Sequence, residues 1–233
     1  MLCTLTGNPW TVKSKSLLAY RCVVEGNDTP LHHTERGAAT RARIVEAAAD
    51  LIYVHGVADT SLDAILAVSE TSKSQLYHYF LDKDDLVLAV IRRQTEQVLA
   101  AQEPYLHKLD SLEGLRRWRD TLVNLQRQSD CVGGCPLGSL VGELADSPTH
   151  RALLAASFER WESYLLAGFT AMSDRAELRI DTNPADLATT VMTALEGGLL
   201  LTQVRRSTRP LELALDMALD HVVAHRRSQQ SSR

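Results

Sequence analysis

Between residues 72 and 83 the chain carries Ser72, Lys73, Ser74, Gln75, Tyr77, His78, Tyr79 and Lys83, a dense run of hydrogen-bonding side chains. Hydroxyl, amide, imidazole and ammonium groups in so short a stretch suit the base edges and phosphate oxygens of duplex DNA. Ser72 and Gln75 stand three apart, the spacing of a capping box, so the run opens a helix. Leu76 and Phe80 are four apart and point to one side of it, leaving Lys73, Ser74, Gln75, Tyr77 and His78 for the other. Lys83 opens the next helix, where it can meet a phosphate near a helix N-terminus or stay a solvated surface lysine.

Two other loci could do chemistry. Cys131-Val-Gly-Gly-Cys135-Pro136 precedes a helix whose first residue would be Pro136. Cys135 would then lie at the positive helix end, where a thiol pKa falls, and could sense an electrophile or an oxidant. The alternative is a small buried residue in a loop lining a pocket. Glu196 lies within the apolar run Val191–Leu201. A carboxylate there is costly unless paired or wet, so it marks either a subunit contact, the favoured reading, or a ligand anchor.

The rest of the composition narrows the classes. The chain has 233 residues, a formal net charge of -4, 45% hydrophobic and 23% charged residues, as in an ordinary globular protein with a sizeable core. Any contact with DNA must then be local rather than driven by bulk charge. Cysteines at 3, 22, 131 and 135 are too sparse for a disulfide framework and lack zinc spacing. Arg21 interrupts the apolar stretch near residue 20, which argues against a signal peptide. No run reads as a membrane span. No nucleophile, metal or phosphate-loop signature supports an enzyme, and no cofactor is expected. A reducing cytoplasm fits best.

The elements that must position the run at 72–83 are helices. Thr40 can cap a first helix in which Ile44, Ala48 and Leu51 share a face and which Gly56 ends. Thr60 can cap a second, with Asp63 three residues on. Ser72 caps the third. Asp82 caps a long fourth, with Asp84 and Asp85 in its first turn and Pro104 beyond its end. Further helical patterns span 112–128, 137–145, 149–173, 184–204 and 211–225. Nothing reads as a strand. The expected fold is all-α, an N-terminal three-helix reader joined by a long helix to a helical ligand-binding and dimerisation domain. The expected division is a poorly ordered extension over 1–35, a DNA-binding domain over 36–100, a ligand-binding and dimerisation domain over 101–226 and a polar tail over 227–233.

Arg41-Ala-Arg-Ile-Val-Glu-Ala-Ala-Ala-Asp-Leu51, Gly56, Thr60-Ser61-Leu-Asp-Ala-Ile65, Ser72-Lys-Ser-Gln-Leu-Tyr-His-Tyr-Phe80, Lys83 and Leu86 resemble the DNA-binding domain of the TetR family. The resemblance covers about 50 residues. It implies a homodimer on a double-stranded DNA operator, with Arg41, Thr60, Ser61, Ser72, Lys73, Ser74, Gln75, Tyr77, His78, Tyr79 and Lys83 at the DNA. Tyr77 and Tyr79 would touch the backbone and Gln75 would approach base edges. It also implies a small-molecule inducer that releases the DNA. The chain departs from the family at Ser69-Glu70-Thr71, where Glu70 takes the place of a turn glycine, and at Leu66 and Ser74, each in place of a smaller residue. Between residues 34 and 90, five Lys and Arg face nine Asp and Glu, so the acids must lie away from the DNA if the reader is to bind it.

Phe158, Trp161, Leu165 and Phe169 recur at helical spacing, and Trp118, Leu122 and Leu125 form a similar face. With Cys135 they are the candidate pocket for an apolar or aromatic inducer, and a packed core is the equal alternative. Leu187, Val191, Leu195 and Leu199 on one late helix, with Leu215, Leu219 and Val222 on the next, are the candidate dimer stripe. The function expected is a ligand-responsive repressor. Its alternatives are a thiol-sensing repressor using Cys135, or a helical interaction module without DNA binding.

Overall fold

The structure, a computed structural model, describes residues 35–227. The expected extension up to residue 34 and the tail from residue 228 lie outside the described residues. Helices α1 (Glu35–His55), α2 (Leu62–Ser69), α3 (Lys73–Tyr79) and α4 (Lys83–Ala100) are followed by a 3-10 turn at Tyr105–Lys108. Then come α5 (Leu112–Gln128), α6 (Pro136–Leu144), α7 (Pro148–Asp174), α8 (Pro184–Arg205) and α9 (Arg209–Ala224). Among the described residues there is no strand, only an isolated bridge between Leu178 and Arg226.

Local chemistry explains most helix starts. Ser72 Oγ accepts from Gln75 N while Gln75 Oε1 accepts from Ser72 N, so the expected capping box is present. Asp82 Oδ1 accepts from Asp85 N at 2.8 Å at the start of α4. Two starts differ from expectation. Thr40 is inside α1, its hydroxyl turned back to Arg36 O, because α1 begins at Glu35. Ser61, not Thr60, caps α2, since the Thr60 hydroxyl donates to Gly56 O at 2.7 Å. Glu70 ends α2 in the left-handed region at φ 52°, a conformation that costs a non-glycine residue about 1 kcal/mol.

The core runs without a break through the described chain. Ile44, Ala48, Ile65, Leu76, Phe80 and Leu86 hold α1–α4 together. Trp118, Trp161, Leu165 and Phe169 fill the interior of the C-terminal half. Close approaches depend on glycine: a Cβ at Gly168 would fall 2.5 Å from Leu109 O.

The candidate dimer stripe requires correction. Leu187, Val191, Leu195, Leu199, Leu215, Leu219 and Val222 are all buried within the single protomer. They form the seam between α8 and α9 and the rest of the core, where a Cβ at Gly198 would lie 3.0 Å from Leu211 Cα. Leu200, Leu201, Val204, Leu213 and Met217 of the same two helices point outward instead. One helix among the described residues, α8, is long and apolar enough to span a membrane, as the core helix of a globular protein also can be. Its inner face is packed in this core.

Candidate nucleic-acid interface

Helix α3 is anchored from beneath and polar above. Leu76 and Phe80 are buried, at 1% and 2% exposure, while Lys73, Ser74, Gln75, Tyr77 and His78 are exposed. Tyr79 is half-buried and meets His78 edge-on at 4.8 Å. Lys73 Nζ stands 6.0 Å above the Tyr77 ring, and Arg41 lies 5.0 Å over Phe80. The Lys73–Tyr77 contact keeps two long side chains together on the exposed face of this seven-residue helix, which limits the entropy lost on binding. A hollow of about 200 Å³ lies beside that face, lined by Leu62, Asp63, Leu66, Lys73, Leu76 and Tyr77.

The other expected DNA residues divide into outward and inward groups. Ser61 and Ser72 are exposed but their hydroxyls serve as helix caps. Thr60 is buried, at 2% exposure, and is therefore a packing residue rather than a contact. Lys83 donates to Val57 O at 2.6 Å, which commits one of its three N–H groups.

Three of the nine acids, Glu46, Asp82 and Asp85, are engaged in structure. Arg93 grips Glu46 in a two-bond fork, at 2.7 and 2.9 Å. Asp82 caps α4, and Asp85 Oδ2 accepts from Leu81 N. Sequence reasoning could not have found Glu143. From α6 this carboxylate accepts from Val57 N at 3.0 Å and Ala58 N at 2.9 Å, clasping the α1–α2 turn from 85 and 86 residues away.

Residues 44–90 match the family of bacterial regulatory proteins, tetR family. Residues 111–217 match the C-terminal domain of LmrA/YxaF-like transcriptional regulators. An uncharacterized HTH-type transcriptional regulator of Mycobacterium tuberculosis is 30% identical over 186 residues, covering 74% of this chain and 89% of the relative. The chain belongs to the TetR family. A second relative, an uncharacterized HTH-type transcriptional regulator in Lactococcus lactis, is 30% identical over 185 residues, 76% of this chain and 90% of its own. Among solved structures, a TetR transcriptional regulator from Chloroflexus aurantiacus superposes with a TM-score of 0.68 at 24% identity, covering 83% of this chain and 99% of that one. This TetR-family chain is a DNA-binding transcriptional regulator and not an enzyme. Its family binds DNA operators and acts as dimers.

Behind the reader of this regulator, the candidate pocket residues are mainly packed. Trp118, Leu122, Trp161, Leu165 and Phe169 are buried, and Leu125 and Phe158 are half-buried. Gln102 Oε1 accepts from both indoles, Trp118 Nε1 at 2.8 Å and Trp161 Nε1 at 3.1 Å, while Gln102 Nε2 donates to Val98 O. The two tryptophans are thus stitched to the end of α4.

Cys135 does cap α6, its Sγ accepting from Gly138 N at 3.3 Å, with Pro136 as the first helical residue. The expected fall in its pKa is not found. Burial and the neighbouring Glu196 carboxylate push the thiol well up, and they outweigh the helix end. Glu196 is half-buried, with Oε1 enclosed and Oε2 against Gly138 of its own protomer, contrary to the favoured subunit-contact reading. Burial raises its pKa to about 7, and the neighbouring Cys135 thiol offsets this only in part.

Proposed function

We propose that this regulator is a homodimeric, cytoplasmic repressor that reads a near-palindromic operator with α3 and releases it when a small apolar or aromatic molecule binds. The observation that carries the reading is the exposed row Lys73, Ser74, Gln75, Tyr77 and His78, held rigid over buried Leu76 and Phe80. Arg41, Tyr79 and Lys83 flank that row and supply phosphate contacts. The outward face of α8 and α9, with Leu200, Leu201, Val204, Leu213 and Met217, supports pairing of two chains through these helices, because an apolar patch of that kind is unfavourable in water. The division into a reader over 36–100 and a ligand-binding and dimerisation domain over 101–226 is part of the same reading.

A ligand can act only by favouring one spacing of the two readers over the other. Helix α4 joins Lys83 beside the reader to Gln102 beneath the tryptophans, and so offers a route for that preference. The thiol-sensing alternative is not favoured, since a buried thiol held protonated is a poor nucleophile. The test is operator binding to the DNA flanking the protein's own gene, with and without a panel of apolar and aromatic compounds. An inducer should weaken binding roughly 5–150-fold. Gln75→Ala should relax sequence preference, and Lys73→Ala should weaken all sequences alike. If no compound in the panel shifts the affinity, ligand-controlled release is wrong.

A further inference from the structure

Polar groups gather under the loop that leads into α6. The Tyr53 hydroxyl, from α1, and Glu196 Oε1, from α8, are both enclosed and have no hydrogen-bond partner. Glu196 Oε2 and Cys135 Sγ flank Gly138, where a Cβ would fall 2.8 Å from the one and 3.8 Å from the other. The loop rests directly on Tyr53. A Cβ at Gly133 would fall 1.7 Å from the Tyr53 oxygen, and one at Gly134 2.5 Å from Gln203 Oε1. Asp130 and Cys131 in the same loop hold positive φ, at 52° and 56°. Burying a carboxyl oxygen and a phenol hydroxyl without partners is costly, and a ligand that supplies donors to both recovers that cost.

We propose that Tyr53 and Glu196, beneath the 129–135 loop and the first turn of α6, form the polar end of the effector site and take a primary ammonium or amidinium group carried on an apolar body. Such a group brings several N–H donors and a positive charge to an enclosed carboxylate that has neither. No lysine or arginine among the described residues is paired with Glu196, so an anionic ligand would meet only repulsion there. The site is also wired to the reader. Helix α6 is capped by Cys135 and ends one residue beyond Glu143, which clasps Val57 and Ala58. Lifting the loop to admit a ligand moves the helix that holds the α1–α2 turn. The inference rests on the ligand-responsive reading and specifies the chemistry of its ligand.

Calorimetry on the full chain tests it, with phenethylamine and benzamidine as cationic probes, phenethyl alcohol as the neutral probe and phenylacetate as the anionic one. The cations should bind at least about tenfold tighter than the alcohol. Glu196→Gln should remove that preference, and Tyr53→Phe should weaken the cations several-fold. Should Glu196→Gln fail to fold, a second readout remains in the wild type: cation binding should tighten between about pH 6 and about pH 8 as Glu196 ionises. Cys135 and Tyr53, which face it, are both pushed upward and keep their protons over that range. Equal binding of amine and alcohol, an unchanged preference in Glu196→Gln, or no binding of either cation would each overturn the proposal. If neutral aromatics release the operator while the cations do not bind, this polar end is wrong and ligand-controlled release stands. If the cations bind and neither they nor any other compound of the panel releases the operator, the site stands and ligand-controlled release falls.

Discussion

The α3 reader and the interior around α5–α8 use polar side chains in opposite ways. In the reader, apolar residues lie beneath and polar ones stand at the surface, where Gln75 keeps its amide N–H groups in water although its Oε1 closes the capping box. In the C-terminal half, polar groups are enclosed. Some are bonded, as Gln102 is to two indoles, and some hold atoms without a partner, as Gln126, His150 and Glu196 do. The two regions therefore store function in different ways. A surface row can be altered at little cost to folding, whereas an enclosed polar group ties folding, protonation and ligand preference together.

The sharpest way to break this contrast is truncation on both sides of it. Trp161→Ala should destabilise the protein by about 3–5 kcal/mol, because it empties a fully enclosed site and leaves Gln102 with one donor fewer. Tyr77→Ala, at a side chain 48% exposed, should change stability by no more than about 0.5 kcal/mol and yet reduce operator affinity. Denaturant melts read beside DNA titrations decide it, and equal stability losses would erase the distinction.

Protonation provides the next largest effect. Glu196 titrates near 7 when folded against 4.5 as a free side chain. Its folded form therefore holds a proton that the unfolded chain has released, so the contribution is complete below about pH 4.5 and is lost as pH rises through 7. The loss is on the order of 3 kcal/mol. Thermal melts across this window should fall more steeply for the wild type than for Glu196→Gln, and parallel profiles would show that Glu196 is not the group responsible.

Smaller effects test the joint between the two regions. Glu143→Ala should leave Val57 N and Ala58 N without their side-chain acceptor, at a cost of about 1–2 kcal/mol. Faster amide exchange at these two positions is the readout, and unchanged protection would mean the clasp does not hold the turn. Glu70→Gly should stabilise by up to about 1 kcal/mol, since glycine takes positive φ without strain. A melt that shifts downward would mean the Glu70 side chain matters more than its backbone.

These outcomes bear on what the amino-acid order could reveal. The Ser72–Gln75 box, the Asp82 cap and the Leu76/Phe80 anchor were legible because they are set by residues three or four apart. The turn at Glu70 was legible as a departure from glycine, and the structure locates the strain there. Thr60 was mistaken for a cap because it and Ser61 are chemically equivalent, and only the backbone path turns Thr60 back to Gly56. The stripe from Leu187 to Val222 was legible as buried but not as buried against its own chain, since an internal seam and a subunit seam share one period. Glu143 and the Tyr53–Cys135–Glu196 cluster join residues far apart in sequence. Charge and spacing along the chain carry no trace of such contacts. The pKa of Cys135 was expected to fall with the helix end, but enclosure and a neighbouring carboxylate are stronger.

The central claim is that α3 reads DNA as one of a symmetric pair. Footprinting of the region beside the gene, at low salt and with the full chain, tests it most directly. The account predicts one protected near-palindrome whose half-sites lie about one helical turn, roughly 34–36 Å, or a multiple of that, apart, and which Tyr77→Ala no longer protects. Protection of a single half-site by a monomer, or none anywhere in the region, would contradict it.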